Sequence, residues 1–262
     1  MNILEKIVNK IKVDLVERKK TLSIETLKKN SGLDINSPSL YDSLNNDYLS
    51  LIAEIKDTSP SKGKLIKDND VLSLAKNYLN ADVNAISVVT EKNFFNGALN
   101  NINNIKELYE YNSTPILRKD FIIDKYQIYE SKYFNADAIL LIASLLDEKT
   151  LREFVNISYD LDLDVLLEIH GEDELFKALN SGAKIIGVNN RNLNNFEVDL
   201  NTTLNIVDSI PDHIIKISES GIYTNKDMQK LRDEGCNAVL IGESIITSPN
   251  PYNKIIELMN LK

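Results

Sequence analysis

Five short apolar runs in this 262-residue chain end on side chains that can move protons or hold anions. Leu51–Lys56 closes with Glu54-Ile55-Lys56, and because side chains alternate across a strand, Glu54 and Lys56 share a face while Ile55 takes the other. Pro115–Lys119 leads into Arg118-Lys119-Asp120-Phe121, and Val165–Ile169 carries Glu168. Lys184–Asn189 leads into Asn190-Arg191, and Ile214–Ser218 into Glu219-Ser220-Gly221. Ammonium and carboxylate groups gathered in a partly dry cavity perturb one another's ionisation, the property that makes lysine usable as a general acid and glutamate as a general base. A network of mutually compensating structural ion pairs is the competing reading of the same spacing.

The elements that must position these groups repeat along the chain. From residue 51 onward, eight runs rich in Ile, Val and Leu alternate with stretches of helical periodicity; the other three runs are Ala85–Val89, Ala138–Ala143 and Ala238–Gly242. Helices are expected over Asp124–Tyr133, Glu172–Ser181 and Thr224–Glu234. Returns to a strand at Asn135-Ala136, Gly182-Ala183 and Gly235-Cys236 carry a residue that tolerates the left-handed conformation closing a helix, followed by a small one. Eight strands buried on both faces satisfy every edge by closing. The expected fold is therefore α/β, a (β/α)8 barrel forming one domain over residues 1–262, with an open doubly wound sheet as the alternative. In such a barrel, functional groups collect at the C-terminal ends of the strands, where the charged residues above fall. Residues 1–50 precede the first strand, and Ile3, Leu4, Ile7, Val8, Ile11 and Leu15 form one stripe of an amphipathic helix expected to end at Asn30-Ser31-Gly32 and to pack on the barrel.

Composition narrows the function. Asp and Glu total 39 against 30 Lys and Arg, a net charge of −9 that argues against a nucleic-acid surface. One cysteine, Cys236, permits no internal disulfide and reads as a small packing residue in a turn. The longest apolar stretch, Ala138–Leu146, falls short of the roughly 20 residues of a membrane span, and the start MNILEKIVNKIK lacks the apolar block of a signal peptide. A cytoplasmic protein without membrane or nucleic-acid partners is expected, and a monomer. His170 is expected to turn away from Glu168 and His213 to sit at the entrance of the seventh strand, so no metal site is expected; with no P-loop or GxGxxG, no cofactor is expected either. The turns Ser220-Gly221 and Gly242-Glu243-Ser244 follow the seventh and eighth strands, where barrels commonly bind phosphate through backbone N–H groups.

The blocks together resemble the indole-3-glycerol phosphate synthase family. Ile52-Ala53-Glu54-Ile55-Lys56 with Thr58-Ser59-Pro60-Ser61-Lys62-Gly63, Ser87-Val88-Val89-Thr90-Glu91 with Phe95-Asn96-Gly97, Leu117–Ile122, Leu140-Leu141-Ile142, Glu168-Ile169-His170, Ile186–Leu193, Ser218–Ile222 and Leu240–Ser244 match in order. The resemblance implies closure of the indole ring of 1-(2-carboxyphenylamino)-1-deoxyribulose 5-phosphate, with loss of CO2 and water. It implies Lys119 as general acid, Glu168 as general base, Lys56 on the substrate carboxylate and Glu54 holding the lysines. Ser59, Asn189 and Arg191 would meet the carboxylate or sugar hydroxyls, Glu219 the hydroxyls, and Phe95 and Phe121 would sandwich the aryl ring. Ser220, Gly221, Gly242 and Glu243 would cradle the phosphate, Glu243 through its backbone N–H. Asn190 and Glu243 stand where some members carry Ser, and since the chain has no Trp, a lid supplied by the extension is expected to be aliphatic. A phosphosugar isomerase such as phosphoribosylanthranilate isomerase, or a non-catalytic phosphate binder, would explain the phosphate loops but not Glu54, Lys56 and Lys119 together.

Overall fold

The computed structural model of the chain describes residues 2–30, 37–66, 70–108, 113–192 and 195–260. Eight parallel strands form a closed ring: β1 (Ser50–Ile55), β2 (Ala85–Val89), β3 (Ile116–Lys119), β4 (Ala138–Ile142), β5 (Asp164–Ile169), β6 (Ile185–Asn189), β7 (Ile215–Glu219) and β8 (Ala238–Ile241). Each strand bonds to its neighbours in sequence, and β8 returns to β1 with Ala238 opposite Ser50. The closed (β/α)8 barrel is thus the one of the two expected topologies that forms.

Strand alternation sorts the side chains into two layers. Ile52, Leu117, Leu140, Leu166, Ile185, Ile217 and Leu240 fill the barrel interior, while Leu51, Ala53, Ile55, Val88, Leu167 and Val239 face the helices. Among the described residues, three helices precede β1: α1 (Ile3–Thr21), α2 (Ile24–Asn30) and α3 (Leu40–Leu44). The rest lie outside the ring: α4 (Val71–Asn80), α5 (Lys92–Phe95), α6 (Asn100–Lys106), α7 (Lys125–Tyr133), α8 (Glu148–Asp160), α9 (Glu172–Leu179), α10 (Asn201–Ile206), α11 (Asn225–Asp233), α12 (Glu243–Ile246) and α13 (Pro251–Met259). Asn135, Gly182 and Gly235 adopt φ of 60°, 86° and 86°, the left-handed closure anticipated for them; Asp82 and Asp162 close two further turns in the same way.

The N-terminal extension departs from a single helix. Ser23 ends it, because its carbonyl accepts from Leu27 N at 3.0 Å and its hydroxyl from Thr26 N at 3.2 Å, starting a second helix instead of continuing the first. The anticipated stop at Asn30-Ser31-Gly32 lies partly outside the described residues. α1 buries Ile7, Ile11 and Leu15 against Leu27 and Tyr126. It is also tied to the barrel helices by an Arg18–Glu130 ion pair and by Lys19 Nζ to Asp124 Oδ2 at 2.6 Å.

α3 seals the barrel floor. Leu40 and Leu44 are fully buried within the interior cluster, and Asp164, at the start of β5, accepts from Tyr41 N and Ser39 Oγ, both at 2.9 Å. Leu40→Ala is expected to cost about 2–5 kcal/mol in urea unfolding, the range for emptying a packed leucine site, while leaving the charged side chains at the other end of the barrel in place.

Candidate active site

The last inward-facing residue of each strand sets the floor of one cavity at the C-terminal end of the barrel. Its volume is about 160 Å³, and each residue to which the resemblance gives a role lines it. Lys119 stands at its centre, with Nζ 3.0 Å from Glu168 Oε2 and 3.3 Å from Glu219 Oε2. Lys56 forms an ion pair with Glu54 on the same face of β1, while Ile55 packs outward. The two lysines and Glu168 therefore converge from β1, β3 and β5.

The two glycines beneath these groups have a steric reason. A Cβ on Gly187 would collide with the Glu219 carboxylate, and one on Gly242 with the Glu54 side chain. Glycine in β6 and at the end of β8 is what lets two buried carboxylates lie against the barrel wall.

The charges are balanced unevenly. Burial disfavours the Lys119 ammonium, but Glu168, Glu219 and Glu54 outweigh it and hold Lys119 protonated well above the ordinary lysine range. Burial likewise opposes ionisation of Glu168, and Lys119 together with His170 reverses this, holding the carboxyl far below its usual range. Glu54 is also lowered against burial, by Lys56 and Lys119. Glu219 behaves oppositely. It is 1% exposed, neither carboxylate oxygen has an aligned hydrogen bond, and burial, opposed by Lys119 and reinforced by Glu168, pushes its carboxyl up to about 7.

A carboxyl raised from 4.5 to about 7 destabilises the folded state once it ionises. The cost is absent below pH 4.5, accrues as pH rises to about 7, and is constant above. Glu219→Gln is therefore expected to raise Tm relative to the native chain at pH 8 and to match it near pH 4.5, as read by calorimetry at both values.

The opposite rim suits an anion. Ser220 and Gly221 both adopt left-handed backbone conformations after β7, and Gly242 leads into α12 after β8. The Glu243 carboxylate turns toward cations, 3.5 Å from both Lys62 Nζ and Arg191 Nη2, and accepts from the Tyr223 hydroxyl at 3.3 Å. Asn189 Oδ1 accepts from Arg191 N at 3.0 Å and steadies that loop. Ile3, Leu4 and Ile7 of α1 roof the cavity, so the extension supplies an aliphatic cover.

Some expected placements differ. Arg118 is fully buried outside the barrel, donating to Gln127 O, Ser131 Oγ and Asp120 Oδ2 at 2.8–2.9 Å; as the neighbour of inward-facing Lys119 it must face outward. Asn190 also turns outward, donating to Ser218 Oγ at 2.9 Å and accepting from Thr203 Oγ1 at 2.8 Å. Phe95 and Phe121, expected to flank a ring from two sides, are in mutual contact, centroids 5.9 Å apart and tilted 37°, and make one aromatic wall with no slot between them. His170, expected to turn away, has Nε2 3.1 Å from Glu168 Oε1. Residues two apart share a face of a strand, and that spacing was the available signal. Among the described residues, no group of three or more His, Cys, Asp or Glu side chains is placed to hold a metal ion, and no helix is long and apolar enough to cross a membrane.

Comparison with known proteins adds the family. Among solved structures, 3-hexulose-6-phosphate synthase from Salmonella typhimurium superposes with a TM-score of 0.63 over 81% of this chain and 98% of that one, at 13% identity. Thiamine phosphate pyrophosphorylase from Pyrococcus furiosus gives 0.60 over 81% and 95%, at 15% identity. At such identities these neighbours show the barrel alone. In sequence, the indole-3-glycerol phosphate synthase of Thermoanaerobacter sp. (strain X514) is 45% identical over 259 residues, 98% of this chain and 97% of that protein. The enzyme of the same description from Caldanaerobacter subterraneus subsp. tengcongensis is 47% identical over 247 residues, 93% of each. With the family model described as indole-3-glycerol phosphate synthase also matching residues 4–258, the chain belongs to the indole-3-glycerol phosphate synthase family.

Proposed function

We propose that this chain closes the indole ring of 1-(2-carboxyphenylamino)-1-deoxyribulose 5-phosphate, releasing CO2 and water to leave indole-3-glycerol phosphate, a carboxy-lyase step of tryptophan biosynthesis. The observation that carries the mechanism is Lys119 Nζ held between Glu168 Oε2 and Glu219 Oε2 on the cavity floor. In the first step, the aryl carbon bearing the carboxylate attacks the ketone carbon. The ketone oxygen takes up negative charge and then a proton from Lys119. An alkoxide is a stronger base than an amine, so a lysine kept charged by two carboxylates both stabilises that oxygen and can protonate it. Loss of CO2 restores the aromatic ring. Glu168, kept ionised, then takes the proton lost from the carbon skeleton, while the former ketone oxygen, by now a hydroxyl, receives a second proton from the Lys56 ammonium, freed once the carboxylate has left as CO2, and departs as water.

Binding groups flank this centre. Lys56, neutralised by Glu54, faces the substrate carboxylate; Ser59, Asn189 and Arg191 meet the carboxylate or hydroxyls, and Glu219 accepts from a sugar hydroxyl. Phe95 and Phe121 form the wall for the aryl ring. The phosphate lies on the backbone of Ser220, Gly221, Gly242 and Glu243, whose carboxylate is drawn aside by Lys62 and Arg191. A single-domain monomer acting in the cytoplasm is part of the same proposal: every group invoked comes from one chain, and one buried cysteine allows no internal disulfide. Purified protein mixed with the carboxyphenylamino deoxyribulose phosphate should develop indole fluorescence. A folded protein that produces none would overturn the assignment.

A further inference from the structure

His170 is absent from the cavity wall, yet it reaches the oxygen of Glu168 that Lys119 does not. Nε2 lies 3.1 Å from Glu168 Oε1, while Oε2 accepts from Lys119 Nζ at 3.0 Å. Behind the ring, Nδ1 is 3.6 Å from Glu174 Oε2, which also accepts the His170 backbone N–H at 2.8 Å. Charged groups thus alternate in sign along one line: Glu174, His170, Glu168, Lys119, Glu219.

We propose that His170 is a positioning residue for ring closure: its imidazolium, held by Glu174, clamps Oε1 of Glu168 so that Oε2 stays aimed at Lys119 and the cavity. This rests on Glu168 being the base. The terminal torsion of a glutamate is soft and roughly two-fold, so a carboxylate held through one oxygen swings, whereas partners on opposite oxygens fix its plane. The ring has the charge such a clamp requires. Burial alone would neutralise it, but Glu168 and Glu174 reverse this and hold it up to about 10. The Nε2 contact is close without being an aligned hydrogen bond, so the hold is chiefly ionic. Besides His170, the charged groups facing Glu168 are Lys119 from β3, Glu219 from β7 and Glu54 from β1. Those facing His170 are Glu168 and Glu174.

A purely structural histidine closing the first turn of α9 would alter stability and nothing else. The test compares native protein with His170→Ala and His170→Gln for kcat, KM and their pH dependence. His170→Ala is expected to lower kcat about 10–100-fold, part of a general-base contribution, with KM within about threefold. Its acid limb should move upward by about one pH unit, because the carboxylate cluster, relieved of a cation, binds its proton more tightly and shares it with the base. His170→Gln keeps a donor but not the charge, so it should recover part of kcat and none of the shift. Native kcat and pH profile in both variants, or a loss confined to KM, would overturn the proposal. If the variants do not fold, 15N NMR of the native imidazole decides: with His213→Gln to assign the two rings, His170 should stay doubly protonated to about pH 9, and titration near 6.5 would contradict the clamp. Failure of the native enzyme to form indole would overturn the assigned reaction and leave that titration as the independent test.

Discussion

Replacing Lys119 with alanine is expected to lower kcat about 10³–10⁴-fold while substrate still binds. The variant loses both the proton donor and the charge opposite the developing alkoxide, and these contributions multiply. Substrate affinity should change little, because the phosphate loops, Arg191 and Lys56 are untouched. Breaking a buried ion pair usually costs about 3–5 kcal/mol, since the partner charge is stranded. Here two features soften the loss. His170 still neutralises Glu168, and Glu219, whose carboxyl already lies at about 7, can take up a proton. The variant should therefore melt closer to the native protein at pH 6 than at pH 8. Single-turnover fluorescence with a binding titration checks the first claim, and thermal melts at the two pH values check the second. Near-native turnover would remove Lys119 from the role of acid.

Glu168→Gln should be the other severe variant, with kcat reduced about 10²–10⁴-fold and KM within a few-fold. The amide matches the carboxylate in shape and can accept from Lys119 through its oxygen, so packing survives, but it takes up no proton. Because Lys119 and His170 hold Glu168 far below the usual carboxylate range, the base is ionised throughout neutral and mildly acidic solution. The acid limb of the native enzyme should then report chiefly the neighbouring Glu219, near pH 7, with activity falling as pH drops through it. Steady-state kinetics from pH 5 to 9 would check both points. A Glu168→Gln enzyme with native kcat would show that the proton leaves by another route.

The barrel was legible because closing a parallel sheet imposes a strict pattern. Strands buried on both faces read as apolar runs, and returns at Asn135, Gly182 and Gly235 need residues that accept a positive φ. The same alternation places Glu54, Lys56, Lys119, Glu168 and Glu219 inward, since each ends its strand in phase with interior residues such as Ile52, Leu117, Leu166 and Ile217. Charge weighed without phase misleads: Arg118 is next to Lys119 and so faces outward, and His170 is two residues from Glu168 and so lies beside it. Other features had no local signal. The five residues of α3 are too few to show a period, and the helix break at Ser23 depends on which carbonyl and hydroxyl its neighbours choose. The raised carboxyl of Glu219 comes from an environment assembled by three strands and by the missing side chain of Gly187.

In this mechanism Lys119 meets the ketone oxygen while the phosphate lies on the far rim. A crystal structure with a substrate analogue whose ketone is reduced to an alcohol would show whether both contacts form. That hydroxyl should lie within about 3 Å of Lys119 Nζ, with the phosphate on the backbone N–H groups of Gly221 and Glu243. A hydroxyl out of hydrogen-bond reach of Lys119, or a phosphate seated against Lys56, would contradict it.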